Sequence, residues 1–132
     1  MSYRATQVSD VTEVWQPTEA KEAAWKAVRH HFGIGAFGVN AFVARADEGD
    51  LIEPHDEAGG HEELYVVLEG LARFTIDGEV VEAPAGTLVY VSPESHRQAE
   101  GVTAGTTVLV VGAEPGKAFE PSAWELRYTQ TA

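Results

Sequence analysis

The chain has 132 residues, no cysteine, and nine Lys and Arg against twenty-one Asp and Glu, for a net charge of −12. That balance excludes a phosphate-backbone partner, which needs clustered cations, and reads as a solvated acidic surface. The missing cysteines exclude a disulfide-stapled scaffold and thiolate chemistry, while a hydrophobic fraction of 44% can fill one core. One domain over residues 1–132 is expected. The start, Met1-Ser-Tyr-Arg-Ala-Thr-Gln, has no apolar h-region, and no window approaches the roughly 20 apolar residues of a membrane span. The expectation is a soluble cytoplasmic protein with neither a nucleic-acid nor a membrane partner.

Residues 18–32 read as an N-terminal helix. Thr18 can cap it, Glu19 and Glu22 sit near its positive end, and Arg29, His30 and His31 sit near its negative end before Gly33. Trp25, Val28 and Phe32 form its apolar stripe. His30 and His31 belong to no ligand spacing and are assigned to the helix C-terminus. Gly33-Ile-Gly35-Ala-Phe-Gly38 is formally a G-x-G-x-x-G. It follows a helix and leads into a strand, the reverse of a dinucleotide-binding order, and is read as a turn.

From there the pattern predicts short strands at 37–46, 50–54, 61–69, 71–76, 79–83, 87–91, 96–100 and 106–111, with Asp77-Gly78 as a two-residue hairpin turn. Regular turns without further helices mean an all-β sandwich or barrel. In Leu64-Tyr-Val-Val-Leu68, Tyr65 and Val67 follow Glu63 inward, while Leu64, Val66 and Leu68 face a second layer, supplied by the helix or another subunit. The tail 113–132 carries Phe119, Trp124 and Tyr128, which are expected to pack on the barrel or a partner chain.

The chemistry is concentrated in Gly49-DLIEP-His55-D-Glu57-AGG-His61-E-Glu63-LYVVLE-Gly70, with His96 beyond the turn Ser92-Pro93-Glu94-Ser95. Imidazole nitrogen and carboxylate oxygen without thiolate suit a divalent transition metal: Zn, Fe, Ni, Co or Mn. Burying so many polar groups without an ion or a water network would be costly. Residues i and i+2 of a strand share a face, which sets His61 beside Glu63. No G-x-S-x-G elbow and no H-E-x-x-H is present, so a serine hydrolase or zincin metalloprotease is excluded at the motif level, and no catalytic residue is assigned.

These residues resemble the two motifs of the cupin family. The first runs glycine, five residues, His-x-His, three or four residues, Glu, six residues, Gly, and Gly49, His55, Glu63 and Gly70 fall in place. Glu57 stands at the second histidine, and five residues separate it from Glu63. In the second motif Gly86 and His96 match on a shortened turn. The resemblance covers roughly 37–112 and implies a double-stranded β-helix, a small antiparallel barrel, with the motifs meeting inside it. It implies His55, Glu63 and His96 as metal ligands, and His61, on the Glu63 face of the strand, is expected to replace the missing second histidine, with Glu57 the alternative to His61. A metal-dependent enzyme on a small organic molecule, of oxygenase or lyase/isomerase class, is one expectation. A non-catalytic small-ligand or sensor module is the other. A homodimer through sheet edges is expected in either case.

Overall fold

In a computed structural model, residues 2–13 and 22–129 are described. Nine strands follow a 3-10 turn at Val8–Asp10: β1 (Ala24–Lys26), β2 (Gly38–Val43), β3 (Gly49–His55), β4 (Glu62–Glu69), β5 (Leu71–Ile76), β6 (Glu79–Pro84), β7 (Leu88–Val91), β8 (Arg97–Gly101) and β9 (Thr107–Ala113). Helix α1 (Val28–Phe32) lies between β1 and β2, and α2 (Ala123–Thr129) follows β9. The strands form two sheets, ordered β1-β2-β9-β4-β7 and β3-β8-β5-β6, with every pairing antiparallel. Among the described residues, no helix is long and apolar enough to cross a membrane.

The core follows from strand alternation. Tyr65 lies opposite Val110 and Val89, and Val67 opposite Val108, all on the inner face of the first sheet. The second sheet answers with Phe74 opposite Ala99, Ala72 opposite Ala83, and Ile52. Tyr65 and Phe74 meet edge to face across the layers, with ring centroids 5.4 Å apart. The β5–β6 hairpin turns at Asp77 (φ 50) and Gly78 (φ 86), the paired positive angles that a tight primed turn demands. Leu64 and Leu68 stay exposed on the outer face. Helix α1 does not cover them and packs instead against β2.

The expected helix over 18–32 is corrected. Thr18 and Glu19 lie outside the described residues, and the helix itself covers Val28–Phe32. Ala24–Lys26 is a strand on the edge of the first sheet, with Trp25 opposite Phe42. Trp25 is completely buried and stacks on Trp124 at 4.2 Å, with Tyr128 edge-on at 5.8 Å. Sequestering an indole outweighs the few tenths of a kcal/mol per residue by which helix propensity distinguishes most side chains. Arg29, His30 and His31 do occupy the last turn of α1, ahead of Gly33 in the left-handed region at φ 71.

Helix α2 was not anticipated. Ser122 Oγ accepts a hydrogen bond from the Glu125 N–H, and Trp124 and Tyr128 present one face to Trp25. Glu125, buried, receives Arg29 Nε at 2.5 Å, which pins the helix across the chain to α1. The tail aromatics therefore pack onto the barrel, as expected.

Candidate functional site

The end of β3, the turn after it and the start of β4 bring three donors together. His55, Glu57 and Glu63 each offer a ligand atom within 4.8 Å of the others, and they are the one such group among the described residues. His55 Nδ1 donates to the Glu53 carbonyl at 2.6 Å, which leaves Nε2 facing Glu57 at 3.0 Å and Glu63 at 3.9 Å. Glu57 is held by its own N–H to the Pro93 carbonyl and by its carbonyl, which accepts from Gly60. The hydrogen bond to Glu57 raises the His55 pKa above its ordinary value. Partial burial opposes this, and the Glu53 carbonyl and the Glu63 charge add to it. An imidazole oriented through one nitrogen, with the other aimed at two carboxylates, has the arrangement in which a histidine ligates a metal ion.

Glu63 has a second set of partners. Its Oε1 accepts from the Tyr65 hydroxyl and from Arg97 Nη1, each at 2.5 Å. Arg97 is fully buried and also donates to the Ser92 and Ser95 carbonyls. Burial first, and the Glu63 charge second, push the Tyr65 pKa upward. Gly112, opposite Glu63, makes room for this carboxylate, because a Cβ there would lie 2.9 Å from the Glu62 carbonyl and 3.0 Å from Glu63 Cγ.

The donors open onto a cavity of about 450 Å³ between the inner face of the first sheet, β3 and the C-terminal segment. Its walls include Phe42, Tyr65, Val110, Phe119 and Trp124. Phe119 sits over Gly38, and the amide oxygen of Asn40, closed off within the wall, has no hydrogen-bond partner among the described residues. Apolar walls with a few convergent polar groups are the usual form of a small-molecule site.

Of the four ligands expected from the sequence, His55 and Glu63 come together and His61 and His96 do not join them. His61 precedes β4 and lines the cavity, but its ring lies against Phe119 at 5.9 Å. Strand geometry begins only at Glu62, so the shared-face argument reaches His61 as a wall residue and not as a donor beside Glu63. Glu57 takes the place next to His55. His96 is exposed and its N–H is bound by Asp77. Arg97, and not His96, stands on the inner face. A signal for this was present: Arg97, Ala99 and Gly101 alternate with the polar His96, Gln98 and Glu100, and the small residues mark the buried side.

No family model matches the chain, and no curated protein matches it. Solved structures do. An RmlC-like cupin from Desulfovibrio desulfuricans aligns with 84% of this chain and 96% of its own at a TM-score of 0.67 and 20% identity. A cupin protein from Bacteroides fragilis aligns with 100% of this chain and 98% of its own, TM-score 0.65, 16% identity. A sugar phosphate isomerase of the cupin superfamily from Silicibacter pomeroyi covers 84% of this chain and 76% of its own, TM-score 0.67, 16% identity. The likeness to these solved structures, with two antiparallel sheets among the described residues, shows that the chain has the cupin fold.

Proposed function

We propose that the protein binds one divalent transition metal through His55, Glu57 and Glu63 and uses it on a small organic molecule held in the adjoining cavity. The orientation of His55 carries this reading: Nδ1 is spent on a backbone carbonyl while Nε2 points at two carboxylates. One imidazole and two carboxylates suit zinc, iron, cobalt, nickel or manganese. Three protein donors would leave positions for other ligands on such an ion, which would polarise a bound oxygen or lower the pKa of a water. An enzyme of oxygenase or lyase/isomerase class is therefore favoured over a closed, purely binding module. Around the ion, Arg97 and Tyr65 hold Glu63 in place and Glu53 fixes the His55 tautomer.

The non-catalytic reading draws on Arg97, which already offsets one of the two carboxylates without any ion. A homodimer is proposed in both cases. The outer edge strand β7 carries exposed Leu88 and Tyr90 beside Leu64, and an unpaired edge with an apolar face invites a second copy.

Zinc or cobalt titration of the metal-free protein tests the site. Replacing His55 by Ala or Glu57 by Gln should weaken binding by about a hundredfold or more, the upper range seen even for residues that merely support ligands. His61→Ala and His96→Ala should leave it within about threefold, as neither joins the donor group. Loss of binding in the His96 variant alone, or equal binding in all four, overturns the assignment.

A further inference from the structure

We infer that the cavity takes a small molecule with an apolar ring body and one neutral oxygen function, and rejects hydroxyl-rich and phosphorylated compounds. This deepens the reading above, resting on it for the location of the site but not for the presence of a metal. The accessible lining is mostly apolar, and its aromatic residues follow β2. Gly38 and Phe42 share the inner face of that strand and stand opposite Gly112 and Val108 of β9. Phe119 lies over Gly38, and Trp124 stacks on Trp25, the partner of Phe42 in β1. Because Glu63 is opposite Gly112, the backbone of Phe42 lies about 10 Å across the sheet and about 13 Å along it from that of Glu63. A ligand anchored at the donor group lays its body against Phe42, Phe119 and Trp124. All three rings are only half-buried. Covering apolar surface that a concave site leaves to water contributes about 25 cal/mol per Å².

The polar groups of the wall are already engaged. Glu57 meets His55, Glu63 holds Arg97 and Tyr65, Glu125 holds Arg29, and Ser122 accepts from the Glu125 N–H. The Asn40 amide oxygen is closed off. A hydroxyl-rich body would exchange its bonds to water for groups that already have partners, at a net loss. A phosphate fares no better, since the described lining residues include no lysine and no arginine. A divalent ion at the site would already be balanced by Glu57 and Glu63. A single hydroxyl has one partner to find, and the donor group supplies it through an ion or through the Glu57 carboxylate.

Three probes test this: 2-naphthalenemethanol, glucose and glucose 6-phosphate, titrated by NMR at pH 7 into metal-free and zinc-loaded protein. The naphthyl probe should bind at least about tenfold tighter than either sugar in both forms, with shift changes at Phe42 and the Trp124 indole. Phe119→Ala should weaken its binding by about fivefold or more and leave zinc affinity within about threefold, and Phe119→Leu should recover most of the loss. The wild-type comparison and its shift map decide the matter even where Phe119→Ala does not fold. Either sugar binding as tightly as the naphthyl probe, or no probe binding more tightly than about 10 mM, overturns the inference. So does naphthyl binding whose shifts fall on Leu88 and Tyr90 of the outer face, or that is unchanged in a folded Phe119→Ala variant. Zinc binding is measured separately in the same samples. Zinc bound with a sugar preferred defeats the inference and leaves the metal reading intact; no zinc bound with the naphthyl probe preferred does the opposite.

Discussion

The two sides of the barrel mouth treat the Glu63 carboxylate in opposite ways. From β3 and its turn come His55 and Glu57, about one-third exposed, with one nitrogen able to hold or release a proton. From the start of β8 comes Arg97, with no exposure and its charge permanent at any ordinary pH. The first side can exchange a proton and, on the proposed reading, an ion. The second is a fixed strut. His55 and Arg97 are partners across β3 and β8, and they differ in burial and in whether the positive charge can be given up.

Removing the shared carboxylate should break this contrast with the largest effect. Glu63→Gln leaves the Arg97 guanidinium buried without its counter-charge, and should destabilise the fold by about 3 kcal/mol or more in urea unfolding. A cost under about 1 kcal/mol would show that Arg97 is not held by this pair.

A smaller effect is expected from Tyr65→Phe, which deletes a hydrogen bond to the same oxygen while keeping the ring against Phe74. The loss should be about 1 to 2 kcal/mol, because the acceptor keeps Arg97. If it equals the Glu63→Gln loss, Tyr65 and not Arg97 is the principal support.

The smallest effect sharpens the exchangeable side. The folded pKa of His55 is raised, chiefly by Glu57. The stability it contributes is therefore fully present below the unfolded value of about 6.5 and is lost as pH rises through the higher folded value. Chemical denaturation from pH 5.5 upward should show this decline in metal-free wild type and not in His55→Asn. Over the same window metal affinity should rise, since the ion displaces the His55 proton. A wild-type profile as flat as that of the variant would remove His55 from the exchange role.

Much of the barrel was legible in the residues themselves. Period-two alternation placed Tyr65 and Val67 inward, and Asp77-Gly78 marked its hairpin, because both signals act within a few residues of one another. The strand at Ala24–Lys26 was hidden, since its helical pattern is overruled by Trp124 and Tyr128 from a hundred residues on. Helix α2 did have a local mark, Ser122 three residues before Glu125, the start of a capping pattern.

The sequence by itself determined the strand pattern, the motif spacing and two residues of the group that meets beside the cavity, His55 and Glu63, because these depend on local alternation and fixed intervals. Which further groups meet Glu63 was decided only by tertiary structure. Residues alternate between the two faces of β8, and the register of that strand sends Arg97 inward and His96 to solvent. The turn at 57–60 likewise gave Glu57 to His55 and left His61 to Phe119. Residue types fixed the chemistry on offer, and the register of the strands and the course of two short turns selected which groups meet Glu63 and His55.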